Sequence, residues 1–274
     1  MKQKQSSFTL METIVAIAIL AMVLSFAGVV FKVSIGAYRT AIANAEIMRK
    51  LRAITDQLNT DFKSVGKGMP IVVWRDRIVF LANGDFQSIR QYTDLSGTKK
   101  TVAGNLASIF YGMTDTVPNG QVLSRGQTIL TSDPDLVVPD LVADPNARLG
   151  EYLKMSFYEY KAECKSIFGT KLKWAGGGGI LPALDLNQEQ DLVRYMAKGV
   201  SNFTVEYEQW NNTTGRFDWL PGGGGDGTFV DSDHAIQIHK RPGTKALKFS
   251  FRLRDSMGII ENGRRFTHIV YIGD

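Results

Sequence analysis

From Ile14 to Phe31 the chain carries no charge, and only Ser25 interrupts its apolar and small residues. At about 1.5 Å per residue this run makes about 27 Å of helix, close to the thickness of a bilayer's hydrocarbon core. It is longer than the ~7 to 15 apolar residues of an ordinary cleavable secretory signal. Past Lys32 the sequence turns polar without losing the helical period: Tyr38, Ile42, Ala45, Met48, Leu51, Ile54, Leu58, Phe62 and Val65 recur at steps of three or four. No proline precedes Pro70, and the first strong stop is Gly66-Lys67-Gly68. The spacing predicts one helix over 8–65, with residues 14–31 apolar all round and the outer half amphipathic. The outer stripe is not a sustained heptad, which disfavours a coiled coil. The small-residue stretch Ala41–Ala45 has the look of a signal-peptidase site. However, Lys32 and Arg39 separate it from the apolar run, and the helical pattern continues through it.

From Ile71 the period shifts towards two. Arg77 to Leu81, then Asn83-Gly84, then Phe86 and Ile89 predict a hairpin on an Asn-Gly turn. Leu153, Met155 and Phe157 alternate, as do Phe203, Val205 and Tyr207. Leu247, Phe249, Phe251 and Leu253 alternate with Lys248, Ser250, Arg252 and Arg254, and turn residues between Asp255 and Gly263 lead to a last strand over 266–271. Such strands have one buried and one wet face, as antiparallel sheets do. A short helix is predicted over 187–197. The runs Gly176–Gly179 and Gly222–Gly225 are predicted as loops, and the proline-bearing stretch 118–150 as mainly loop. The expected fold class is α+β, a long helix packed on an antiparallel β-sheet head that spans 66–274.

Composition adds mainly exclusions. The chain has 274 residues, 44% of them hydrophobic, enough to bury one substantial core. Its net charge of +5 comes from interspersed charges without a basic run, which gives no ground for a nucleic-acid partner. Cys164 is the only cysteine, so no internal disulfide, Cys-rich zinc site or CxxC pair exists. A packed thiol accounts for it without a nucleophile's role. Neither Gly run is followed by Lys-Ser/Thr, so neither is a phosphate loop. His234, His239 and His268 lie in no H-E-x-x-H motif, and no G-x-S-x-G elbow is present. His268 falls in an alternating strand, where a satisfied structural histidine is expected. Asp226, Asp231 and Asp233, beside His234, offer clustered ligands for Ca²⁺; a solvated acidic loop is the plainer account. No cofactor is otherwise expected, and no enzyme site is in view.

One residue is anomalous for its place. Glu12 stands at the start of the apolar run, where a carboxylate costs about 2.5 to 3.5 kcal/mol or more in hydrocarbon. It either snorkels to the headgroups or meets a cation. A cut between Ser7 and Phe8 would create such a cation, the α-amino group of Phe8, four residues away in its own chain or on a neighbouring subunit.

The stretch Ser6-Ser7-Phe8-Thr9-Leu10-Met11-Glu12, after Lys2 and Lys4 and before the apolar helix, resembles the prepilin motif G-F-T-L-x-E. Ser7 stands where that family has Gly. The resemblance implies a leader over 1–7, cleavage before Phe8 by a prepilin peptidase, N-methylation of Phe8, and neutralisation of a subunit N-terminus by Glu12 during assembly. It also implies a lollipop shape. Farther on, Val73-Trp74-Arg75-Asp76-Arg77-Ile78-Val79-Phe80, and then Gly199 to Tyr207 before Trp219-Leu220-Pro221, resemble the J-type minor pseudopilins of type II secretion systems. There an arginine-aspartate-arginine strand follows the helix, and a V-x-x-F-x-V-x-Y strand precedes a Trp and a Leu-Pro. After Pro221 this chain departs, inserting some twenty Gly- and Asp-rich residues.

That resemblance implies a single-pass subunit of the bacterial inner membrane with a periplasmic head, held by lipid before assembly. It further implies a place in a pseudopilus tip complex that primes assembly for protein secretion, with I- and K-type minor pseudopilins and the major pseudopilin as partners. A minor pilin of a type IV pilus shares the whole N-terminal logic. A membrane-tethered periplasmic enzyme or binding protein is a third alternative, and it requires a site that the sequence does not show.

Overall fold

The computed structural model describes residues 9–65, 71–117, 121–131, 152–154, 184–185, 194–222, 236–237 and 246–272. One unbroken helix, α1 (Leu10–Lys63), starts at Thr9, whose side chain caps the first turn, and ends at Ser64, whose N–H returns to Asp61 and Phe62. Its first half touches nothing in the head: Leu10, Ile14, Leu20, Phe26 and Phe31 are all exposed. Burial begins at Ala43 and continues through Ile47, Ile54, Leu58, Asp61 and Phe62. The predicted stripe therefore starts too early. Tyr38 and Ile42 are exposed because the head reaches down α1 only as far as Ala43, and Ala45 and Met48 because they lie off the buried face that runs through Ala43, Ile47, Ile54 and Leu58.

The expected α+β lollipop is the fold observed. Among the described residues, one sheet joins β10 (Ile236–Gln237), β1 (Ile71–Val73), β2 (Arg77–Thr93), β3 (Lys99–Val117), β4 (Gln121–Thr131) and β5 (Tyr152–Lys154) in that order. Two short strands sit off this path, β6 (Leu184–Asp185) on β3 and β7 (Tyr195–Lys198) on β4. A second sheet runs β12 (Arg264–Tyr271), β11 (Ala246–Leu253), β8 (Val200–Asn211), β9 (Arg216–Pro221). Pairing is antiparallel apart from β4 with β5 and β3 with β6. The inner faces of both sheets and the outer half of α1 share one core. Phe62 ties the three together: its ring stacks on Phe80 of β2 at 4.2 Å and tilts against Phe249 of β11 at 5.6 Å. Each aromatic or aliphatic side chain so buried contributes about 1.5 to 3 kcal/mol.

The alternating strands lie where the period of two put them, with Phe203, Val205 and Tyr207 buried on β8 and Leu247, Phe249, Phe251 and Leu253 on β11. Four local expectations are corrected. Asn83-Gly84 is not a turn: β2 passes straight through it with a register shift before Phe86, and the Asn83 N–H is held by the Ser64 carbonyl at the end of α1. The hairpin turns instead at Asp94, whose Oδ1 accepts from the Ser96 and Thr98 N–H groups, with Gly97 at φ +82°. Arg75-Asp76 is not within a strand but forms the turn between β1 and β2, closed by Trp74 N–H donating to the Arg77 carbonyl at 2.9 Å. Within the mainly-loop stretch 118–150 the period of two left a strand unmarked: β4 runs over Gln121–Thr131 and buries Val122, Leu123, Ile129 and Leu130. The end of the predicted helix 187–197 is strand β7, drawn into extended form by pairing with β4, with Ala197 buried opposite Leu123. Residues 187–193, Met155 and Phe157, and Gly176–Gly179 lie outside the described residues.

One buried ion pair fastens α1 to the first sheet. Asp61 accepts two bonds from Arg125 of β4, Nε to Oδ2 at 2.7 Å and Nη2 to Oδ1 at 2.9 Å, a third from the Tyr111 hydroxyl of β3, and a fourth from Gln57 Nε2 at 3.0 Å. Burial, then the adjacent Asp61 carboxylate, pushes the Tyr111 hydroxyl far above its ordinary range, so it stays a donor. On the other sheet His268 Nε2 lies 2.9 Å from Asn59 Oδ1. Burial holds this imidazole below its ordinary value, with Asp56 opposing.

Two outcomes follow for the full-length chain in detergent. Removing one partner of a buried pair strands the other charge, so Asp61→Ala lowers the urea-unfolding free energy by about 3 to 5 kcal/mol, and Tyr111→Phe, which removes a hydrogen bond to that carboxylate, by about 1.5 to 3 kcal/mol. His268 has a depressed folded pKa, so the unfolded chain takes up its proton first and stability falls as pH drops below about 6.5. In His268→Gln the loss of urea midpoint between about pH 7.5 and pH 5.5 is smaller than in the parent.

Candidate functional site

The chemistry that the sequence marks out sits at the far end of the helix from the head. Thr9-Leu10-Met11-Glu12 folds as a reciprocal capping box. Glu12 Oε2 accepts from the Thr9 N–H at 3.0 Å and from the Thr9 hydroxyl at 3.0 Å, while the Glu12 N–H donates back to Thr9 Oγ1 at 3.4 Å. Side chains on a helix lean toward its N-terminus, and this one returns its carboxylate to the amide that joins Thr9 to Phe8. The helix dipole favours a negative charge in that first turn. The carboxylate is thus held at the end of the rod where cleavage before Phe8 would leave an amino group.

Ser7 and Phe8 lie outside the described residues, as do Cys164, Asp226, Asp231, Asp233, His234 and His239. The structure therefore brings Glu12 together with Thr9 and leaves the Ca²⁺ candidates undescribed. His268 is far from Glu12, on β12 against the outer half of α1.

Behind Glu12, α1 presents an uninterrupted apolar surface, and it is the one helix among the described residues long and apolar enough to cross a membrane. Soluble proteins rarely expose contiguous apolar patches beyond a few hundred Å², so a rod bare on every side over residues 14–31 requires lipid or other helices around it. A helix satisfies its own backbone hydrogen bonds and can enter hydrocarbon without penalty from its peptide groups. Ser25 keeps to this rule, its hydroxyl donating to the Ala21 carbonyl at 2.8 Å. In chemical terms the site is an anchor and a contact surface with a single carboxylate at its tip.

Sequence reasoning missed two things. The capping box was available as Thr-x-x-Glu ahead of an apolar run, a pattern of its own. The Asp61 clamp had a fainter signal, an acid at a helical position flanked by the buried Leu58 and Phe62, and its partner Arg125 is 64 residues away.

A family model described as the prokaryotic N-terminal methylation motif matches residues 2–28, a span that includes Ser7, Phe8, Glu12 and most of the apolar run. None of the curated proteins and none of the solved structures matches the chain. The methylation motif at the N-terminus, together with a long apolar helix carrying a β-rich head, supports a type IV pilin-like protein.

Proposed function

We propose that the chain is a non-enzymatic structural subunit, a J-type minor pseudopilin in the pseudopilus of a type II secretion system. It sits with I- and K-type subunits in the tip complex that primes assembly on the major pseudopilin. A prepilin peptidase cuts before Phe8 and methylates it, lipid of the inner membrane holds α1 until assembly, and the head stands in the periplasm. During assembly Glu12 exchanges its bonds to Thr9 for the charged amino group of a neighbouring subunit.

The observation that carries the finer reading is the meeting of two distant segments that both resemble J-type proteins. The Val205 N–H of β8 donates to the Arg75 carbonyl at 2.8 Å, and the Gly222 N–H, just past Trp219-Leu220-Pro221, donates to the Val205 carbonyl at 3.0 Å. A Cβ at Gly222 would lie 2.3 Å from the Trp74 carbonyl oxygen, so only glycine fits there. The Arg-Asp turn, the V-x-x-F-x-V-x-Y strand and the Trp-Leu-Pro strand form one contiguous corner of the head.

Deleting the gene tests the assignment. The expected result is loss of secreted proteins from the medium with surface pili unchanged; loss of pili with secretion intact assigns the chain to a type IV pilus instead. Glu12→Ala keeps the chain in the membrane fraction but lowers its recovery in sheared or purified filaments by about tenfold or more, the scale of a lost charged hydrogen bond in a dry interface. Unchanged recovery would show that the carboxylate has no partner on a neighbouring subunit.

A further inference from the structure

The end of the head nearest the apolar run is built as a small basic plate. The turn between β11 and β12 is fixed to α1 from two sides: the Ser256 N–H and hydroxyl donate to Glu46 at 3.0 to 3.2 Å, and Lys50 Nζ donates to the Arg254 carbonyl at 3.0 Å. Within the turn the Asp255 carboxylate is occupied, accepting from the Ile259 and Ile260 N–H groups at 2.8 and 3.0 Å. Gly199, at φ +77°, passes the same corner with its Cβ position 2.9 Å from the Arg254 carbonyl oxygen. The turn is therefore held in one shape. The turn and the strand end beside it carry Arg254, Arg264 and Arg265, all exposed, with Arg264 and Arg265 on opposite faces of β12 at that edge, against one exposed carboxylate, Glu261. Met257 projects from its tip, 77% exposed.

The helix dictates what this plate faces. Exposed apolar residues continue past Lys32 through Val33 and Ile35 to Tyr38, and an aromatic with a polar tip is at home at the headgroup level. From Tyr38 to Glu46 is eight residues, about 12 Å of helix. Spanning helices tilt by about 20° on average and up to about 40°, and a head carried on one side of a tilted rod swings down toward the surface. The remaining gap is comparable with the ~8 to 10 Å Debye length. The plate's sign is opposite to that of an anionic bilayer, and Met257 supplies an apolar tip.

We propose that the β11–β12 turn is a docking surface for the anionic phospholipid bilayer in which the chain's own helix is anchored, with Arg254, Arg264 and Arg265 meeting headgroups and Met257 entering between them. Docking holds the unassembled subunit tilted, its head against the membrane, and extraction into a filament must break these contacts. The proposal rests on the membrane-anchored reading of α1.

The test uses the full chain in vesicles of phosphatidylcholine alone and of phosphatidylcholine with about one third phosphatidylglycerol, with a fluorophore placed by Asn262→Cys, exposed in the same turn, in a Cys164→Ser background. Each basic side chain near an anionic surface shifts docking by about fivefold, so the three together shift it by about 100-fold. Expected is quenching of the fluorophore by headgroup-labelled lipid in the anionic vesicles only. It is reversed at about 1 M salt, where the Debye length is about 3 Å, and abolished in the triple variant R254Q/R264Q/R265Q. Equal quenching in both vesicle types, no quenching in either, or quenching that survives the triple substitution would overturn the docking surface. Co-flotation separates the two claims: a chain that floats with phosphatidylcholine vesicles but is not quenched in anionic ones loses only the docking surface. One that does not float at all overturns the anchor and the docking surface with it.

Discussion

An α-helix closes its own backbone hydrogen bonds, so one rod can pass from hydrocarbon to water with no change in its peptide chemistry. What changes along α1 is the side-chain surface. Over its first half every large apolar residue is exposed, and over its second half Ile47, Ile54, Leu58 and Phe62 are sealed against two sheets. The rest of the structure depends on that continuity. A break between Phe31 and Ala43 would uncouple the head from the apolar stem, and neither proline nor a capping glycine signal occurs there. Gly36 has nothing within 4 Å of its Cβ position, so the helix passes it without a packing demand.

A head held by a single helix must resist being pulled off it, and the fastening differs on the two sides. Toward the first sheet a buried charge pair, Asp61 with Arg125, is satisfied by four hydrogen bonds including that of Tyr111. Such a pair gains little net stability over apolar packing but is costly to break on one side, which makes it a register lock more than an adhesive. Toward the second sheet the fastening is lighter and wetter: His268 on Asn59, Ser256 on Glu46 and Lys50 on the Arg254 carbonyl. Between them the stacked rings of Phe62 and Phe80 fill the centre. At the opposite end of the rod, the capping box keeps Glu12 directed at the start of the helix.

The helix and the hairpins of the second sheet were legible in the sequence because their burial repeats at the period of a single element. Residues such as Phe249 and Phe251 point the same way as their neighbours two positions along whether or not the partner strand is known. The failures lie where another element decides the conformation. Asn83-Gly84 has turn chemistry, yet the end of α1 claims the Asn83 N–H and the strand runs on. Tyr195–Lys198 takes strand form because β4 needs a partner, and β4 itself lay hidden between two prolines with little alternation. At the candidate site, Glu12 stood out because a charge at the start of an apolar run needs a reason. Asp61 did not, because an acid on the wet half of a helix looks like any other until a residue 64 positions away is placed beside it.

The proposed role depends on cleavage of the bond between Ser7 and Phe8, where a serine stands in place of the glycine of the motif it resembles. Intact-mass measurement and N-terminal sequencing of the chain recovered from membranes test it most directly. The predicted result is a single species that begins at Phe8 and carries one methyl group on its α-nitrogen. A chain that begins at Met1, or one that starts after Ala45, would contradict the account.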